Sequence, residues 1–142
     1  MSNMQPHIRL TNEDAASYAI LPGDPMRTER IKEFLTDAKD IAFNREMKSV
    51  SGYYKGVKVL AVSTGMGGAS TAIAVEELAN IGVKAMIRIG SAGAYRKGIE
   101  LGDLVIVNGA VRDDGATKAY IASEFPAVPD TELLFDFIQA AK

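Results

Sequence analysis

Three times in 142 residues an apolar run with strand character empties into a turn of glycine and other small or punctuating residues. Ser17-Tyr-Ala-Ile-Leu21 runs into Pro22-Gly-Asp-Pro25, and Val57-Lys-Val-Leu-Ala-Val-Ser-Thr64 runs into Gly65-Met-Gly-Gly68. Met86-Ile-Arg-Ile89 runs into Gly90-Ser-Ala-Gly93. After the first turn, Ile31, Phe34 and Leu35 fall at helical spacing within 26–35, and after the second an Ala-rich helix is expected over 69–78, with Ser70 or Thr71 near its cap. Strands that open through a tight turn into helices predict an α/β fold with a mixed, largely parallel central sheet flanked by helices. In such sheets ligands bind beyond the carboxyl ends of the strands, so the three turns are where function is to be sought.

The third run carries a charge. Desolvating an unpaired guanidinium costs several kcal/mol, so Arg88 on an apolar strand predicts an anionic partner. The turn after it has no bulky side chain, which leaves backbone N–H groups and the Ser91 hydroxyl open to phosphate oxygens. A structural carboxylate beside a tight turn is the alternative. Arg27 falls in the first turn of the helix after Pro25, where a cation opposes the helix dipole; a bound anion would explain it, and so would plain solvation. Arg45, near a loop or strand end, is of a kind usually solvated. The glycines at 67 and 68 lack the lysine of a P-loop and fit close helix–strand packing better than nucleotide binding.

Elsewhere, Thr11 and Asp14 have capping-box spacing for a helical turn. Asp40-Ile-Ala-Phe43 and Ser49-Val-Ser-Gly-Tyr-Tyr54 read as extended pieces around Asn44-Arg-Glu-Met47, and Lys55-Gly56 as a two-residue hairpin turn into the run from Val57. Leu104-Val-Ile-Val107 reads as another buried strand. Asp130 or Thr131 is expected to cap a final amphipathic helix bearing Leu133, Leu134, Phe137 and Ile138. No strand follows that helix, so a crossover is left incomplete and the chain reads as the first part of something longer.

Composition removes several classes of function. With no cysteine and one histidine, disulfides, thiol catalysis and a zinc site are excluded. Sixteen Lys and Arg nearly balance eighteen Asp and Glu without a basic block, which argues against nucleic acid as a partner. No apolar run approaches the roughly 18 residues that span a bilayer, and no secretory signal opens the chain, so a cytoplasmic location is expected with no membrane partner.

Three blocks give the chain a relative. Leu21-Pro-Gly-Asp-Pro-Met-Arg27, Ser63-Thr-Gly-Met-Gly-Gly-Ala-Ser-Thr-Ala-Ile-Ala-Val-Glu-Glu-Leu78 and Arg88-Ile-Gly-Ser-Ala-Gly-Ala94 resemble the nucleoside phosphorylase I family. Val111-Arg-Asp-Asp-Gly-Ala116 and Glu124-Phe-Pro-Ala127 place the likeness nearest its uridine branch. The likeness spans essentially the whole chain, which it reads as residues 1–142, the N-terminal part of a single domain truncated after its first half.

The resemblance implies reversible phosphorolysis, nucleoside plus phosphate giving base plus ribose 1-phosphate, with phosphate as co-substrate and no other organic cofactor. It implies that Gly23, Arg27, Arg88 and Ser91 bind phosphate, and that Arg45 reaches the phosphate site of a neighbouring subunit. His7 would cross the same dimer interface to the ribose 5′-hydroxyl, and Ser91, Ala92 and Gly93 would line the nucleoside. Glu46, Met66 and Ser70 match positions that hold a monovalent cation at that interface. A dimer-based homo-oligomer, hexameric in the family, is implied, and no catalytic acid or base is assigned within this chain. Uridine is the expected nucleoside. Ala92 stands where the uridine branch typically has a threonine, which keeps a purine nucleoside as the alternative beside an inactive phosphate-binding or oligomerising fragment.

Overall fold

The computed structural model describes residues 3–142, which fall in two compact units, 3–91 and 92–142. The first unit holds five strands and two helices: β1 (Tyr18–Pro22), α1 (Met26–Lys32), β2 (Thr36–Asn44), β3 (Met47–Tyr54), β4 (Val57–Val62), α2 (Gly68–Asn80) and β5 (Ala85–Ile89). The strands form one sheet in the order β2-β3-β4-β1-β5. β1 pairs in parallel with both β4 and β5, whereas β2–β3 and β3–β4 are antiparallel. The sheet is therefore mixed, with its parallel part around β1.

The antiparallel part follows from local chemistry. Lys55 (φ 48°) and Gly56 (φ 80°) form the hairpin turn between paired Tyr54 and Val57, a turn whose twist matches that of the flanking strands. β2 starts four residues earlier than the apolar pattern suggested, because its first part pairs irregularly with β3. The register shifts between Thr36 and Lys39 and again between Asp40 and Ala42. Such bulges, together with the exposed Lys39 and Asp40, make an outer strand a poor template for further pairing. Lys32 bonds Asp40 at 2.5 Å, tying the last turn of α1 to this strand. That bond raises the Lys32 pKa and lowers that of Asp40.

Alternation along the strands sends Ala19, Leu21, Leu60 and Val62 to one face, where they pack with Ala74 and Leu78 of α2, with Ile81 and Val83 after it, and with Ile8 and Leu10 of the N-terminal arm. Burying one such leucine stabilises the unit by about 1.5–3 kcal/mol. The arm is thus part of the core. Its Thr11–Asp14 segment is a turn and not a helix: Asp14 accepts from the Thr11 N–H (2.9 Å) and hydroxyl (3.0 Å), so the capping-box contact forms without a helix to cap. α2 starts one residue earlier than expected, with Gly67 as N-cap and no side-chain cap. Ser70 instead donates to the Gly67 carbonyl at 3.2 Å.

In the second unit, α3 (Thr131–Ala140) is capped by Asp130, whose side chain accepts from the Leu133 N–H. Leu133, Leu134, Phe137 and Ile138 share its less exposed face, as the spacing predicted. The strand expected at 104–107 is absent. Leu104, Val105 and Val107 are exposed, and the only bridge in this unit among the described residues joins Ala110 to Ala127. An apolar run becomes a strand only with a ladder partner for its N–H and C=O groups, and this run has none. The unit is organised instead around Arg112. Its guanidinium donates to the carbonyls of Thr117 (2.6 Å), Ala122 (2.5 Å), Ile121 (3.0 Å) and Phe125 (3.2 Å).

Two outcomes follow from this packing. A Cβ on Gly52 would lie 2.7 Å from the Leu35 Cβ and 3.0 Å from the Thr36 carbonyl, so Gly52→Ala forces backbone apart and costs about 1–3 kcal/mol in urea unfolding. In the second unit Asp114 accepts from the Thr117 hydroxyl (2.6 Å) and N–H (2.7 Å), which hold its carboxyl below the ordinary value of 3.8. A depressed folded value means that this stabilisation is whole above pH 3.8 and is lost as pH falls through the lower, folded value. The Thr117 amide resonance should titrate with a midpoint below 3.8, and Asp114→Asn should abolish that step.

Candidate functional site

Because β1, β4 and β5 run parallel, their carboxyl ends lie along one edge of the sheet, and the turns that leave them meet there. Pro22 stands opposite Ile89 and Leu21 opposite Arg88. The Thr64 N–H donates to the Pro22 carbonyl at 2.9 Å, which draws the β4–α2 turn against the β1–α1 turn. A Cβ built on Gly23 would lie 3.1 Å from Nη2 of Arg88 and 3.3 Å from the Gly65 carbonyl. Glycine is needed at 23 for this close approach.

The other expected phosphate ligands join the same place. Arg27, half-buried in the first turn of α1, donates through Nη2 to the Ser91 hydroxyl at 2.9 Å. Arg88 donates through Nη1 to the Ile89 carbonyl at 3.3 Å. Neither arginine takes part in the three salt bridges among the described residues. The burial argument for Arg88 is corrected: β5 is the outer strand of the sheet and Arg88 is exposed at its end, so no desolvation forces a partner on it. What marks the group is unspent donors. Two guanidiniums with up to ten N–H groups between them make two hydrogen bonds among the described residues.

Arg45 is held elsewhere. It opens the two-residue turn between Asn44 and Met47, with φ 56° at a position that usually selects glycine, a strain of about 1–3 kcal/mol. Ser63, fully buried at the end of β4, over-determines that turn. Its hydroxyl donates to the Glu46 carbonyl (2.6 Å) and accepts from the Lys48 N–H (2.8 Å). Gly65 closes the other side, since a Cβ there would fall 2.5 Å from the Glu46 Cγ. Arg45 is exposed and makes no hydrogen bond with Arg27, Arg88 or Ser91.

The remaining expected residues are distributed as follows. His7 lies in the N-terminal arm, with its backbone N–H and Nδ1 on the Glu77 carboxylate. Ala92 and Gly93 begin the second unit and are exposed. Glu46, Met66 and Ser70 flank the Gly65 turn, and no hydrogen bond joins the three. Glu46 and Ser70 offer oxygen, which suits an alkali cation, whereas Met66 is 98% exposed and its soft sulfur does not suit one. Among the described residues no group of three or more acidic, histidine or cysteine side chains is placed to hold a metal. Sequence reasoning passed over Ser63 and Glu77. Glu77 had a signal: it sits three residues after Ala74 and four before Ile81, on the stripe that faces the core.

Comparison with known proteins gives a consistent result. A family model described as the phosphorylase superfamily matches residues 17–142. The chain is 50% identical over 139 residues to a uridine phosphorylase of Thermococcus kodakarensis, covering 98% of this chain and 50% of that protein. It is 42% identical to a guanosine phosphorylase of Halorubrum lacusprofundi, covering 97% and 57%. Among solved structures, a uridine phosphorylase of Vibrio fischeri superposes with a TM-score of 0.93 at 43% identity, covering 96% of this chain and 56% of that one. The chain spans about half the length of the curated relatives it matches.

Gly65→Ala tests the link between the turns. The φ of +69° and the contact with Glu46 both oppose a methyl group, so a loss of about 1–3 kcal/mol is expected in urea unfolding. The largest amide shifts should fall on the Arg45–Glu46 turn.

Proposed function

Because this chain belongs to the phosphorylase superfamily, we propose that it carries the phosphate-holding part of a nucleoside phosphorylase whose substrate is uridine. The observation that carries this reading is the meeting of Arg27, Arg88, Ser91 and Gly23 at one edge of the sheet with donors to spare and no carboxylate bonded to them. A phosphate dianion is matched by that set: guanidiniums bind its oxygens through charge-assisted, often bidentate bonds, and a hydroxyl completes the shell. Held there, a phosphate oxygen attacks the anomeric carbon as the glycosidic C–N bond breaks. The bond electrons leave with the base, and the anion stabilises the oxocarbenium-like transition state by proximity and charge.

Arg45 is proposed to complete the phosphate shell of a neighbouring subunit, which fits an exposed guanidinium on a turn braced by Ser63, without a partner among the described residues. In the same assembly His7 would meet the ribose 5′-hydroxyl, and Ala92 and Gly93 the nucleoside beside Ser91. Such an enzyme is a homo-oligomer built from dimers, works in the cytoplasm and needs no organic cofactor. A monovalent cation would be held by Glu46 and Ser70, with Met66 contributing only through its backbone. A purine nucleoside is the second reading, favoured by the guanosine phosphorylase among the relatives.

The deciding assay is phosphate-dependent release of uracil from uridine by the purified chain, with inosine and guanosine run in parallel. Uracil release that requires phosphate is expected, and preferential cleavage of a purine nucleoside would move the assignment to the second reading. Phosphate binding without cleavage of any nucleoside would reduce the chain to a binding fragment. Arg88→Ala should weaken phosphate binding by about 10–100-fold in calorimetry, the loss of one or two charge-assisted bonds. Unchanged affinity would remove the assignment of the site.

A further inference from the structure

Glu77 is the one charged side chain among the described residues that is buried. No lysine or arginine neutralises it. Its carboxylate is satisfied by the N-terminal arm alone: Oε2 accepts from the Ile8 N–H (2.8 Å) and the His7 N–H (3.0 Å), and Oε1 lies 2.5 Å from Nδ1 of the His7 ring. The two partners differ in exposure. The Glu77 side chain is 8% exposed and the His7 side chain 40%, so the carboxylate closes off one edge of the ring while the other reaches solvent. Nε2 has no hydrogen-bond partner among the described residues. The side chain of Asn44 fixes the peptide on the far side by donating to the His7 carbonyl at 2.8 Å.

An ionised carboxylate only accepts hydrogen bonds, so the short contact requires Nδ1 to carry the proton. In a neutral ring the other nitrogen then bears the lone pair. We propose that Glu77 is a positioning residue that holds His7 in the Nδ1–H tautomer and thereby presents Nε2 as an acceptor for a hydroxyl donated by the ligand. The inference rests on the reading above, in which that hydroxyl is the ribose 5′-hydroxyl. It adds a reason for selectivity: a nucleoside without the hydroxyl leaves the oriented acceptor unpaired. Anchoring the arm does not require the ring contact, because the Ile8 and His7 N–H groups alone would do that. The Nδ1 bond is an additional element with its own consequence.

The chain has a single histidine, so a long-range proton–nitrogen NMR spectrum shows one imidazole. With the ring neutral, the intact chain should show Nδ1 protonated and Nε2 bare. Glu77→Ala should return the ring to the mixture of a free imidazole, in which the Nε2–H form prevails. Asn44→Ala, which removes a different tie on the arm, should leave the Nδ1–H form in place, as a merely structural role for Glu77 would not require. An Nε2–H ring in the unmodified chain, or an Nδ1–H ring that persists in Glu77→Ala, overturns the proposal. The unmodified spectrum decides even if that variant does not fold. Uridine should then shift Nε2, and 5′-deoxyuridine should not. An Nδ1–H ring indifferent to both would uphold the role of Glu77 in setting the tautomer while removing the nucleoside reading of His7.

Discussion

Parallel pairing of β1 with both of its neighbours is the constraint on which the first unit depends. A parallel neighbour cannot be reached by a hairpin, so the chain leaves the sheet after each of β1 and β4 and returns by a longer path. Between β1 and β4 it passes through α1 and the β2–β3–β4 meander, and between β4 and β5 through α2. All three parallel strands then end on the same side. The small residues that follow them are placed together by topology, although Gly23, Gly65 and Gly90 are far apart in sequence.

The arginines differ in how their donors are used. Arg112 and Arg88 carry the same side chain and are handled in opposite ways. Arg112 is enclosed by four carbonyls and the Thr117 hydroxyl, so its donors are spent on folding the second unit and none remains for a ligand. Arg88 gives one bond to the carbonyl beside it, and Arg27 gives one to Ser91. A guanidinium has five N–H groups in a fixed fork, and leaving most of them to solvent at a shared edge preserves the capacity to bind an anion. Arg45 extends the same economy at the cost of a strained backbone, which Ser63 and Gly65 hold from two sides. Gly65 also sets its carbonyl against Gly23, so one residue connects the turn that carries Arg45 with the turn that holds Gly23 beside Arg88.

Much of this was legible in the residues themselves. The strand–turn–helix order, the Lys55-Gly56 hairpin and the face of α3 follow from apolar spacing and turn chemistry, which are local. The strand at 104–107 misled for the opposite reason, because an apolar run reports a wish to be buried and not the presence of a partner strand. Arg88 was singled out on a burial argument that the fold does not support. Its neighbours in sequence are apolar, yet it stands exposed at the end of an outer strand, a matter of strand order and not of composition. Glu77 was within reach of helical periodicity, whereas the binding of its carboxylate by the arm near residue 7 was not.

By itself the sequence determined which segments are strands and helices around β1 and where the tight turns fall, since each is fixed by spacing over a few residues. The motifs in their order also fixed the family. Only the tertiary structure decided the strand order, the exposure of Arg88, the meeting of Arg27 with Ser91, and the closing of Glu77 onto the N-terminal arm. Those depend on contacts between residues 41 to 70 positions apart in the chain, and no local pattern carries information over that distance.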